Sequence, residues 1–230
     1  MCGRFALTAP ASTITEIFQV DVLPDVLPRY NVAPSQQVAA VVERDGVRQM
    51  TTFRWGLIPR WAKDKKIGYK MINSRGETVA SKPSFRVAFK RRRCLVLADG
   101  FYEWKRLSKK EKIPHLIQLA DGRPFGMAGL WERWVDPEGE EVLSCSIITT
   151  GPNDLMTSIH NRMPVILPPE TWDTWLDEAN DDKDQLQELL VSYPADDMRA
   201  RTVSSHVNNA RHEGPDCQGP FEAPSEGEVP

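Results

Sequence analysis

The chain has 230 residues, of which 40% are hydrophobic and 27% charged; that is enough apolar material for a packed core and excludes wholesale disorder. The formal net charge is −3, yet residues 1–110 carry 21 Lys and Arg against 9 Asp and Glu, and residues 111–230 carry 8 against 23. A basic half bearing aromatics suits a polyanion partner, while mutual neutralisation of the two halves within one fold explains the same split.

Thr13 and Glu16 have the spacing of a capping box and predict a helix through Phe18, before Pro24 and Pro28 break the pattern. Val38–Glu43 reads as a strand, Arg44-Asp45-Gly46 as a turn and Val47–Trp55 as the hairpin partner. Gly56–Lys70 reads as a loop, and Thr78–Phe89 as one or two short helices interrupted at Pro83. From Cys94 the strand signal is dense: Cys94–Ala98, Phe101–Arg106, His115–Leu119, Phe125–Trp131 and Val142–Thr149, separated by turn residues. Asn153 is placed to cap a helix to Ile159. Further helices are predicted from Pro169 through Leu176 and over Asp182–Val191, and a last strand over Arg201–Ser205. Short strands in series with few helices predict one α+β domain on a β-barrel-like, curved antiparallel sheet with short peripheral helices. That domain spans 1–212. Beyond Asn209 the chain is rich in Pro, Gly and Glu, so 213–230 reads as a flexible tail.

No stretch approaches the roughly 20 apolar residues of a spanning helix, and no apolar signal segment follows Met1. The sequence therefore reads as a cytoplasmic protein without membrane attachment. Cys2, Cys94, Cys145 and Cys217 lie far apart with no C-x-x-C spacing, which speaks against a metal site, a redox dithiol or a disulfide framework. Cys2 is small enough for Met1 to be removed, which leaves an amino-terminal cysteine. Such a residue holds two nucleophiles on adjacent carbons, an α-amine with pKa about 7.7–8.0 and a thiol with pKa about 8.5. The amine forms a Schiff base with an aldehyde, and the thiolate closes onto the imine carbon intramolecularly, giving a thiazolidine. A chance cysteine beside the start codon is the plainer reading of that residue alone.

Asn73-Ser74-Arg75-Gly76-Glu77 gathers an amide, a guanidinium and a carboxylate, or is a polar turn before a helix. On the strand around 101–106, Phe101 and Glu103 share one face, which desolvates the carboxylate and raises its pKa; pairing with Lys105 or Arg106 is the alternative. His160 carries protons near neutral pH, and Arg162 two residues on suits a phosphate; a structural histidine fits equally. His115, His206 and His212 read as structural, and Lys90-Arg91-Arg92-Arg93 as a solvated basic face.

Together these pieces resemble the SOS-response-associated peptidase (SRAP) family. The motifs are Met-Cys-Gly-Arg-Phe at 1–5, Arg-Tyr-Asn-Val-Ala-Pro at 29–34, Trp-Gly-Leu-Ile-Pro with a following Trp at 55–61, and Ile-Asn-Ser-Arg-Gly-Glu-Thr at 72–78. They continue with Ala-Asp-Gly-Phe-Tyr-Glu-Trp at 98–104, Ile-His-Asn-Arg-Met-Pro-Val-Ile-Leu at 159–167 and Val-Asn-Asn-Ala-Arg at 207–211. The resemblance implies a monomeric barrel-like domain with no cofactor and a basic groove for single-stranded DNA. It implies a thiazolidine DNA–protein crosslink between Cys2 and an abasic site, shielding the lesion, with lyase-type chemistry. Asn73 then positions the cysteine or sugar, Glu103 assists imine chemistry and His160 donates a proton to the sugar. Arg4, Asn31, Arg75 and Arg162 fall where phosphates are contacted, and Pro34, Trp55 and Trp61 where bases are bracketed. An amino-terminal-nucleophile hydrolase that processes its own leader, and a non-covalent reader of modified bases, are the competing readings. The acidic stretch Asp181–Asp184 departs from the family pattern.

Overall fold

The computed structural model describes residues 2–21, 23, 28–109 and 111–222; Met1, Pro24 and residues 223–230 of the expected tail lie outside them. Strands in chain order are β1 (Phe5–Leu7), β2 (Arg29–Val32), β3 (Gln37–Arg44), β4 (Val47–Trp55), β5 (Asn73–Arg75), β6 (Arg93–Ala98) and β7 (Gly100–Arg106). They continue as β8 (Lys112–Leu119), β9 (Phe125–Val135), β10 (Glu141–Thr150), β11 (Met163–Pro164), β12 (Ile166–Leu167) and β13 (Met198–Thr202). The α-helices are short: α1 (Ala11–Phe18), α2 (Gly76–Val79), α3 (Arg86–Arg91), α4 (Asp154–Thr157), α5 (Trp172–Leu176) and α6 (Lys183–Glu188).

The β3–β4 hairpin follows directly from local sequence. Alternating apolar residues pair from Gln37↔Arg54 to Arg44↔Val47. Asp45 and Gly46 turn the chain with φ of 52° and 74°, the handedness that matches strand twist. The ring then closes in the order β10-β4-β3-β6-β9, because β9 pairs with both β6 and β10. The antiparallel expectation holds for most of this barrel, but β10 runs parallel to β4 and, further along the same edge, to β5. A second sheet, β13-β8-β7-β1-β2, is antiparallel throughout.

Strand alternation sorts the core into layers. Val38, Ala40, Phe53 and Trp55 join Phe5 and Phe101 of the second sheet in one buried cluster between the sheets. Ala39, Val41, Leu95 and Leu97 point the other way, under Phe18 of α1, Phe89 of α3 and Trp175 of α5. On the far side of the second sheet, Tyr102 and Leu116 are covered by Val203, Val207 and Cys217.

Several local expectations are corrected. Thr13 lies inside α1, whose N-cap is Pro10 without a side-chain cap bond, so Thr13 and Glu16 form no capping box. Asn153 does cap α4, accepting from the Met156 amide. The last strand is Met198–Thr202, earlier than expected, and pairs with β8 through Met198↔Leu119 to Thr202↔His115. The chain after Asn209 is held against the second sheet as far as Gly219 rather than frayed. Cys217 is buried, the Gly219 carbonyl accepts from Ser204 and the Gln218 carbonyl from Arg201. Arg93 is not part of a solvated face. It is 3% exposed and donates to the carbonyls of Phe89, Lys90, Trp175, Asp177 and Asn180.

Candidate active site

β1 lies against β7 with Phe5 opposite Phe101, and Tyr102 donates its amide to the Arg4 carbonyl. This pairing lays the first residues of the chain alongside β7. Cys2 is fully buried, in one cluster with Trp55, Phe101 and Cys145. Its carbonyl accepts from Asn73 Nδ2 at 2.7 Å. Asn73 is delivered by β5, held in place by its parallel pairing with β10, Asn73 opposite Ile147. Among the described residues, Asn73 Oδ1 is buried with no hydrogen-bond partner.

Glu103 alternates with Tyr102 and Trp104 along β7, so its side chain is turned inward and only 4% exposed. Burial pushes its carboxyl pKa from 4.5 up to about 7. His160 follows α4, its amide donating to the Met156 carbonyl, and its Nδ1 stands 4.0 Å from Glu103 Oε1. That Nδ1 lies 3.1 Å from the Arg162 amide and 3.2 Å from the Arg162 carbonyl; it accepts from the first or donates to the second according to the tautomer. Burial holds the imidazole below its ordinary pKa and pushes the Cys2 thiol well above its own, with the Glu103 charge adding to the effect. A thiol kept protonated thus lies beside a carboxyl that exchanges its proton near neutrality and an imidazole whose neutral form burial favours.

The remaining candidates divide. Arg162 is on the rim, 18% exposed, bound by both oxygens of Glu77 and by the Thr149 carbonyl and hydroxyl. Arg75 is exposed, next to the Asn73–Ser74 pair of β5. Trp61 is 59% exposed and Pro34 half-buried. Half-buried Arg4 and buried Asn31 share a hydrogen-bond network. Arg4 donates to Asn31 Oδ1 and the Val207 carbonyl, each at 2.7 Å, and lies over the Trp104 ring. Asn31 is fully buried and donates to the carbonyls of Asn209 and His212. These two side chains fasten the 205–212 segment to the second sheet. Trp55 is corrected outright: it is 0% exposed, with its indole N–H on the Ile72 carbonyl, so it offers no face to a base. Glu77 and Thr149 went unremarked as partners of Arg162, because the contact joins positions 85 and 13 residues apart.

The charge split is partly resolved within the fold, since Lys90 and Arg91 meet Asp181, Arg48 meets Asp173 and Arg92 meets Glu132. Among the described residues no group of three or more His, Cys, Asp or Glu could hold a metal ion, and no helix is long and apolar enough to cross a membrane.

A small barrel with a buried thiol, a carboxyl of raised pKa and an imidazole at one mouth defines a class of one-domain α+β proteins equipped for nucleophilic chemistry with local proton transfer. The chain belongs to the SOS response associated peptidase (SRAP) family, whose model matches residues 1–210. It is 51% identical over 219 residues to abasic site processing protein YoqW of Bacillus subtilis (strain 168), covering 94% of this chain and 98% of that one. Abasic site processing protein HMCES of Pongo abelii is 32% identical, with 96% and 77% covered. A crystal structure of a Bacteroides thetaiotaomicron protein superposes with a TM-score of 0.80 at 31% identity, over 89% of this chain and 93% of that one.

Proposed function

We propose that this protein captures abasic sites in single-stranded DNA by covalent attachment to Cys2 and so shields the lesion from cleavage. The convergence of Asn73, Glu103 and His160 on Cys2 carries this reading, and relatives named abasic site processing proteins support it. Loss of Met1 frees the Cys2 amine. Base loss leaves a deoxyribose that opens to an aldehyde: the C1–ring oxygen bond breaks, the His160 imidazole passes a proton to the ring oxygen and takes one up as the C1 hydroxyl becomes the carbonyl. The amine adds to the carbonyl carbon, and the carbinolamine expels water to give an imine, Glu103 taking and returning the proton. The thiol then adds to the imine carbon as its proton passes, through Glu103, to the nitrogen. One C–N and one C–S bond form and one water leaves. Asn73 holds the Cys2 carbonyl so that nitrogen and sulfur address the same carbon. Ring closure removes the imine that would otherwise drive β-elimination, so strand scission is slow.

Exposed Arg75 and Trp61 supply cationic and aromatic surfaces for the flanking strand. The protein acts as a monomer in the cytoplasm, on the nucleoid when bound. The test mixes protein with a single-stranded oligonucleotide carrying one abasic site, then runs a denaturing gel. A retarded band with wild type, absent with Cys2→Ala and with intact oligonucleotide, supports the reading. Cleavage of peptides without DNA, and no retarded band, replaces it with the hydrolase.

A further inference from the structure

Arg162 stands at the rim of the Cys2 site. Its backbone meets His160 Nδ1, and its side chain meets Thr149, whose strand partner is Arg75, two residues from Asn73. A strand whose sugar reaches Cys2 carries phosphates on either side of that sugar. A guanidinium engages a phosphate through two parallel N–H bonds. In this structure both terminal nitrogens of Arg162 are already engaged by the two oxygens of Glu77. Glu77 itself is 53% exposed and its carboxyl is held below the usual range by the Arg162 hydrogen bonds, so it is charged throughout the neutral range. Thr149 contributes its carbonyl and hydroxyl to Arg162 independently. Removing the Glu77 charge therefore leaves the guanidinium anchored and opens one edge of it.

We infer that Glu77 occupies the anion-binding edge of Arg162 and weakens non-covalent capture of DNA strands, so that a strand stays bound only where the covalent step follows. The inference rests on the DNA-directed reading above. A backbone phosphate must displace or share the carboxylate, which lowers affinity for every strand equally. Discrimination is thereby shifted to the covalent step, which only an aldehyde-bearing sugar undergoes.

The test measures fluorescence anisotropy of an intact single-stranded oligonucleotide across a salt series, with full-length wild type, Glu77→Gln, Glu77→Asp and Arg162→Ala, and with Glu77→Gln combined with Arg162→Ala. Glu77→Gln is expected to bind about two- to fivefold tighter, the size of one competing exposed ion pair. Its log–log salt slope is expected to steepen by about 0.7, as for one added single-strand phosphate contact. Glu77→Asp should stay close to wild type, and the gain should vanish in the Arg162→Ala background. Unchanged or weaker binding by Glu77→Gln overturns the inference, as does a gain that persists without Arg162. Loss of fold, read from the melting temperature, is monitored in the same samples. Affinity for intact DNA is read without chemistry, so absence of a wild-type adduct at abasic DNA sinks the covalent reading separately.

Discussion

The Glu103 carboxyl links chemistry to stability in a way that one substitution exposes. Its pKa is raised from 4.5 to about 7 by burial, so the folded state binds this proton more tightly than the unfolded chain. The stabilisation this gives is fully present below about pH 4.5 and is lost as pH rises through 7. A shift of about 2.5 units corresponds to roughly 3 kcal/mol at 1.36 kcal/mol per unit, an order-of-magnitude figure for a side chain that is 4% exposed. Glu103→Gln keeps the shape and the neutral form and removes the ionisation penalty. Relative to wild type, the variant should gain roughly 6–12 °C in melting temperature between pH 5 and pH 8, at about 2–4 °C per kcal/mol for a domain of this size. The same change removes the proton shuttle, so crosslinking should slow by about 10²–10⁴-fold, and the acidic limb of the pH–rate profile near 7 should disappear. Differential scanning fluorimetry over pH, paired with quenched crosslinking time courses, reads both. A melting difference that is flat with pH, or a time course unaltered by the substitution, refutes the reasoning.

Three further substitutions separate site from scaffold. Asn73→Ala deletes the 2.7 Å bond to the Cys2 carbonyl and should slow crosslinking on the order of 10²-fold through misplacement, while anisotropy reports near-normal DNA affinity. Arg93→Ala leaves five carbonyls, in two buried and three part-buried hydrogen bonds, without this donor and should cost on the order of 3 kcal/mol in urea unfolding, with Arg93→Lys rescuing little because one ammonium cannot span the set. Trp61→Ala, at an exposed ring, should weaken single-strand binding by about 1–3 kcal/mol without lowering the melting temperature. Trp55→Ala should do the reverse, costing about 3–5 kcal/mol of stability through the cavity it opens.

What sequence revealed depended on the range over which each signal acts. The β3–β4 hairpin was legible because alternation and the Asp45-Gly46 turn are local, and β4 falls on its expected bounds, Val47–Trp55. β1, β2 and β5 were not, because three or four residues carry no period and exist as strands only through Phe5↔Phe101, Phe5↔Val32 and Asn73↔Ile147. The tail misled because Pro and Gly composition says nothing of Cys217, which is buried against the second sheet. In the site, Cys2, Asn73, Glu103 and His160 were singled out from motifs spread over the chain, and the fold supplies their mutual distances. Arg4 and Asn31 are matched to the same motifs, and the fold shows that they also fasten the 205–212 segment, a contact no local pattern encodes. Trp55 sits on the inward face of β4, which alternation alone could have indicated. The Arg162–Glu77 contact, by contrast, depends on tertiary structure that no local pattern encodes.

Intact-mass spectrometry of the denatured product, after incubation with an abasic single-stranded oligonucleotide, bears most directly on capture by a freed Cys2 aminothiol. The expected species is the sum of oligonucleotide and protein lacking Met1, less one water, with the linked peptide containing Cys2 after proteolysis. Protein that retains Met1 yet forms the adduct, or an adduct that survives Cys2→Ala undiminished, contradicts it.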